Sequence, residues 1–210
     1  RIEEKLKGID SKLLRNNRIY DADKDWLTNA ENQQLTNPFR AIIASNNPRA
    51  HDHVILAHDL DDSHPLWKVD REISVHRKAA ALAKCASKLL FLSKEILFID
   101  PYFNPEKTKF MNVMKCFLEF ALQGVSPTRI EVHSEYDFET DPDPEEWKEM
   151  CQEAFEPLIP KGMKMKIVRW TEKFGGEKLH ARYLLANIGG LRYETGLDEG
   201  KTGETTDVSI

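Results

Sequence analysis

The sequence predicts an α/β fold: one mixed β-sheet flanked by helices. Three observations carry that expectation. Short apolar runs, such as Ile96-Leu97-Phe98-Ile99, have strand length and are bounded by turn residues. Segments with apolar residues at helical spacing separate several of them. The last strands then follow one another without helices, which makes the sheet mixed rather than wholly parallel. With 210 residues, 40% hydrophobic and 31% charged, the composition is that of an ordinary globular chain able to bury a core.

The elements are expected in this order. Residues 1–35 read as a peripheral segment, with a short helix over Glu3 to Leu14 and Trp26-Leu27 as a small anchor on the main body. Residues 36–210 read as the α/β domain. Phe39 to Ala44 and Val54 to Ala57 are strands. Val69 to Leu92 is one long helix, alanine-rich from Ala79 to Ala86. Glu95 to Asp100 is a strand buried on both faces, ending in the rigid turn Pro101-Tyr102-Phe103-Asn104-Pro105. Glu106 to Leu122 is a helix stopped by Gly124. Arg129 to His133 is a strand. Asp143-Pro144-Glu145-Glu146 starts a helix, with an acidic cap and proline in the first turn. Met163 to Trp170, Leu179 to Leu185 and Leu191 to Thr195 complete the strands.

Charge and cysteine content narrow the function. The net charge of −5 disfavours a broad nucleic-acid footprint. The charge is uneven, however: Glu131 to Glu156 holds eleven acids and one base, Lys148, whereas Lys161 to Arg182 is locally basic. A phosphate responds to the local field, so a basic cleft is compatible with an acidic helix elsewhere. Cys85, Cys116 and Cys151 are odd in number and lack metal-ligand spacing, so they read as buried thiols. No run is long enough to span a bilayer, and Arg1-Ile2-Glu3-Glu4-Lys5-Leu6 carries no secretory pattern. The expectation is a cytoplasmic protein. A chain that begins at Arg1 and ends at Ile210 is expected to be a piece of a longer protein, with further domains beyond both ends.

The chemistry-bearing segment is Lys178 to Leu185. Alternation on a strand puts His180, Arg182 and Leu184 on one face and Leu179, Ala181, Tyr183 and Leu185 on the other, core-like face. A histidine supplies a nucleophile or proton carrier near neutral pH, and a guanidinium beside it holds phosphate oxygens. Asn187 follows, then Gly189 and Gly190, which permit close ligand approach or a tight turn. Asp100, at a strand's C-terminal end, is a candidate to orient His180 or to cap the Pro101 turn. His51-Asp52-His53, His58-Asp59 and His64 mix donors that suit zinc or manganese, but no recognised ligand spacing emerges and they read as polar loop. Glycine-rich phosphate loops and a nucleophile elbow are absent from the sequence. No metal and no cofactor are expected.

The pattern His180-x-Arg182-x-x-x-x-Asn187, followed by Gly189-Gly190, resembles the phospholipase D superfamily motif: histidine, any residue, lysine, four residues, aspartate, then small residues. The strand Ile96 to Asp100 and Gly196-Leu197-Asp198-Glu199-Gly200, with Asp198 or Glu199 as a later acid, are similar to further parts of that family. The resemblance spans roughly Phe39 to Gly200, one repeat of the fold. Arg182 stands where the family has lysine, and Asn187 where it has aspartate, as in the tyrosyl-DNA phosphodiesterase branch. The family uses two motifs per site, and this sequence holds one; His133 lacks a cationic partner. The resemblance implies a metal-independent phosphodiesterase or nuclease of bacterial or phage-defence type. His180, Arg182 and Asn187 would be catalytic, with Gly189, Gly190, Asp100 and Glu199 in support, and a homodimer would unite two copies of His180. The ligand implied is a phosphodiester, nucleic acid ahead of lipid. The alternative is an inactive module that recognises a phosphate-bearing ligand or a protein partner, like the membrane-binding domain of an endosomal-sorting accessory protein. The acidic face around Glu145 to Glu156 would suit a basic partner.

Overall fold

A computed structural model describes residues 18–210 apart from Val69, Phe174 and Glu177. The helix expected over Glu3 to Leu14 lies outside the described residues. The chain divides into two compact units, Arg1–Asp70 and Arg71–Ile210. The boundary expected at residues 35 and 36 falls instead after Asp70.

In the first unit, Asp25 caps helix α1, Trp26–Thr36, by accepting from the Thr28 backbone N–H at 2.9 Å. Strand β1, Ile42–Ala44, pairs in parallel with β2, Val54–Leu56. Leu27 and Ala30 of α1 pack with Ile42, Ala44 and Val54 in a small core. Leu27 therefore anchors this unit's own core, while Trp26 stays exposed. Both strands were expected in the main sheet. Each is only three residues long, too few for their pattern to say which sheet they join.

The second unit carries a seven-stranded mixed sheet in the order β3-β9-β8-β7-β4-β5-β6. The strands are β3 Glu72–His76, β4 Glu95–Ile99, β5 Arg129–Glu135, β6 Met165–Trp170, β7 Tyr183–Ala186, β8 Gly189–Tyr193 and β9 Thr205–Ser209. β4, β5 and β6 run parallel to one another; β7, β8, β9 and β3 add on antiparallel. The helices are α2 Ala79–Leu92, α3 Thr108–Gln123 and α4 Pro144–Phe155. This is an α/β fold with a mixed sheet, as the sequence predicts.

One core holds the unit together. Leu82, Ala86 and Leu90 of α2, Val113, Phe117 and Leu118 of α3, and Trp147, Cys151 and Phe155 of α4 join Ile96, Phe98, Ile130, Val132 and Leu184 of the sheet. Phe98 and Phe117 stack at 5.4 Å. Gly124 ends α3 where a Cβ would lie 1.8 Å from the Phe91 carbonyl oxygen, so only glycine allows this approach of α3 to the end of α2. Asp143 caps α4 through the Glu145 and Glu146 N–H groups, at 2.9 and 3.1 Å.

Three expectations are corrected. The helix expected over Val69 to Leu92 begins only at Ala79. Glu72 to His76 is an edge strand, in which β-branched Ile73 and Val75 alternate with polar residues. β4 is not buried on both faces: Ile96 and Phe98 are buried, while Leu97 and Ile99 are half-buried, because all three helices feed the core on the Ile96 side. The core face of β7 is the one carrying Leu184, not the one carrying Leu185, which is 37% exposed.

Candidate functional site

Every candidate near His180 sits where β4, β5 and β6 end. In open α/β sheets this C-terminal edge is where ligands bind. β7 runs antiparallel to β4, so the residues just before Tyr183 return to the same edge. His180 and Arg182 belong to this lead-in rather than to the strand. Arg182 is nevertheless held, since its carbonyl accepts from Tyr193 N at 2.9 Å.

Beside it, Asp100 is 3% exposed. Its Oδ1 accepts from Tyr102 N at 3.0 Å and its Oδ2 from Leu197 N at 2.8 Å. Burial pushes its carboxyl above the ordinary range; the two N–H bonds and the Arg182 charge oppose that shift, and Asp198 adds to it. Asp100 therefore caps the Pro101 turn and ties β4 to the Gly196–Leu197 segment. The Arg182 guanidinium lies over the Tyr102 ring at 5.0 Å, and its Nη1 is 3.4 Å from the Glu194 carbonyl. Its Nε is buried without a hydrogen-bond partner.

His180 is exposed and makes no hydrogen bond or ion pair among the described residues. It lines a cleft of 690 Å³ together with the Pro101–Asn104 turn and the loop after β5. The cleft wall is acidic. It carries Glu135, Asp137, Glu139, Asp141 and Glu172 against Lys107 and Lys178. Two of these carboxylates are paired, Asp141 with Arg169 and Glu172 with Lys178 at 3.4 Å.

The other candidates lie elsewhere. Asn187, Gly189 and Gly190 are at the far end of β7, beside the start of β4. Asn187 Oδ1 accepts from Lys94 N at 2.9 Å and Glu95 N at 3.2 Å, a staple of backbone to backbone. Gly189 and Gly190 open β8 directly after the Asn187–Ile188 turn, paired with Ala186 and Leu185, and a Cβ on Gly190 would meet the Leu185 side chain at 2.8 Å. They serve the turn rather than a ligand at the His180 end. Glu199 accepts from Ala79 N at 3.1 Å and from Asn112 Nδ2 at 2.7 Å, so it caps α2 from outside and links it to α3. Lys78, the residue before α2, offers no side-chain cap of its own.

Sequence reasoning missed Arg77 and Lys109. Arg77 pairs with Asp198, and Lys109 Nζ meets it at 2.7 Å, so the later acid is enclosed by two cations. Nothing in their sequence neighbourhood marked them beyond lying near helix starts. His133 does have partners. Its Nδ1 accepts from Trp170 Nε1 at 3.0 Å, which fixes its Nε2 as the N–H that donates to Glu131 at 2.9 Å. The cleft that His180 lines includes Glu135, two residues on from His133, but not His133 itself.

Among the described residues no cluster of three or more histidine, cysteine or acidic side chains is arranged to hold a metal ion. No helix there is long and apolar enough to cross a membrane. No protein-family model matches the chain, and no curated protein matches it significantly in sequence.

Proposed function

We propose that residues 71–210 form a phospholipase D-like half-site that cleaves phosphodiesters without a metal, two copies meeting to supply two histidines. One observation carries this reading: His180 stands exposed and unpartnered among the described residues, at the strand-end edge, two residues from a guanidinium whose Nε lacks a partner. In the proposed cycle a His180 ring nitrogen attacks phosphorus while the bond to the leaving oxygen breaks. The imidazolium of the partner's His180 gives that oxygen its proton. Water then attacks the phosphohistidine and yields its proton to the partner histidine, and the P–N bond breaks. The products are a phosphomonoester and an alcohol. Arg182 balances charge on the non-bridging oxygens. Nucleic acid is the substrate favoured over lipid.

A second reading is favoured by the cleft wall. Five carboxylates around one histidine repel a polyanion and leave no second acid–base group of the family's type. On that reading the unit recognises a phosphate-bearing or protein ligand without turnover. Hydrolysis of bis-p-nitrophenyl phosphate in EDTA, by wild type and His180→Ala side by side, separates the two. Turnover by wild type alone supports the enzyme. Turnover that survives the substitution sinks the histidine mechanism. No turnover in either protein leaves the binding module, for which a basic peptide is the first ligand to try and single-stranded DNA and anionic liposomes follow.

A further inference from the structure

A second concavity lies on the other side of Trp147, between α4 and the edge strand β6, with a volume of 1050 Å³. β5 is the only strand paired with β6 among the described residues. The Trp170 carbonyl accepts from Tyr136 N at 2.8 Å, on the β5 side. Backbone polar groups alternate sides along a strand, so those of Lys166, Val168 and Trp170 face β5. Those of Met165, Ile167 and Arg169 face outward, as an open ladder. The side chains of the same three residues share the helix-covered face with Ile130, Val132 and Ser134. Met165 and Ile167 form the groove's apolar side, opposite Cys151 and Phe155 of α4. Burial pushes the Cys151 thiol up to about 11, so it stays neutral and adds to the apolar lining. The Arg169 guanidinium, 4.2 Å from both the Tyr136 and Trp147 ring centroids, closes one end. The turn Pro160-Lys161-Gly162 closes the other.

Two features specify the occupant. An unfilled ladder takes a polypeptide strand, since only a backbone supplies matching donors and acceptors in register. Lys161, Lys164 and Lys166, at the head of this edge, make no ion pair among the described residues. Lys166 lies on the opposite face of the sheet from Met165 and Ile167. A strand added here thus meets Met165 and Ile167 on one face and, on the other, Lys166 at the head with Lys164 just before it and Val168 and Trp170 further along. Pairing β6 with its own copy would bring two sets of the same lysines to one ladder. We propose that this groove is a strand-addition site for an extended segment of a partner protein, apolar at alternate positions and acidic between them. It would lie as an eighth strand beside β6, under α4. This reading stands independently of the phosphodiester site.

The probe is a fluorescein-labelled peptide, Gly-Val-Glu-Val-Glu-Val-Glu-Gly, read by fluorescence anisotropy against the full chain. Three controls accompany it: a scrambled version, a Val-Lys version, and one N-methylated along one edge. The alternating acidic peptide is expected to bind, and N-methylation to weaken it about tenfold by removing ladder bonds without touching the protein. The double substitution Lys164→Glu, Lys166→Glu is expected to weaken it by a similar factor and to turn preference to the Val-Lys peptide. Equal binding of the scrambled or N-methylated peptide overturns the proposal, as does unchanged affinity in the double variant. Self-association of wild type that the double variant alters, without peptide binding, assigns the edge to a second copy and overturns it too.

Discussion

The two ends of β7 carry the same kind of residue to opposite purposes. At one end Asn187 spends its amide oxygen on two backbone N–H groups at the start of β4. At the other, His180 has no hydrogen bond or ion pair among the described residues and faces an open cleft. Seven residues at about 3.3 Å each put roughly 20 Å between them. A motif that is continuous in sequence is thus divided in space, one end stapling backbone and the other exposed at a cleft.

Substitutions at the two ends test that division. The largest effect is expected from His180→Ala, which should lower phosphodiester hydrolysis by roughly 10³-fold or more while leaving thermal unfolding unmoved. A drop in melting temperature as large as that of a core variant would break the division. Asn187→Ala should do the reverse. It removes the acceptor of two solvent-exposed backbone donors and should cost about 0.5–1.5 kcal/mol in urea unfolding, with rate per folded molecule preserved. Asn187→Asp keeps an acceptor and should restore most of the loss. Arg182→Lys keeps the charge but not the planar fork, and should weaken binding of a phosphodiester probe about tenfold. The smallest effect is expected between the two ends, at Glu131. Hydrogen bonds from Arg129, then from His133, hold its carboxyl down to about 2. A depressed acid adds stability above its ordinary value of 4.5 and loses it as pH falls through 2. Acid unfolding of wild type should therefore steepen across that window, and Glu131→Gln should flatten it.

The strands and helices with strong periodicity were legible. The Phe110-Met114-Phe117-Leu118-Ala121 stripe, the Asp143-Pro144 helix start and the apolar run of β4 all stand where the pattern puts them. β3 was hidden because the alanine run after Ala79 extends a helical pattern back over Ile73 and Val75. β9 was hidden because only Thr206 and Val208 of its five residues turn inward, and its partners lie far away in sequence. The alternation with Leu184 placed His180 and Arg182 inside a strand, whereas the strand begins only at Tyr183 and both lie in the segment leading into it. Their separation from Asn187, and the capture of Asp198 by Arg77 and Lys109, depend on contacts across about 90 to 120 residues of chain. The acidic wall of the cleft was visible as a run of carboxylates from Glu135 to Asp141. Its nearness to His180 is a property of the sheet order and was not readable from that run.

The pairing of β3 with β9 has a mechanical consequence. Glu72 faces Ser209, His76 faces Thr205, and Ile210 N donates to the Arg71 carbonyl at 3.0 Å, so residues 71 and 210 emerge side by side. Tension drawn between those two points loads the ladder one rung at a time, as a zip, instead of sharing the load among all rungs in shear. In a force experiment the unit should yield first at this edge, peeling β3 from β9 at low force while the β4–β5–β6 parallel core still holds.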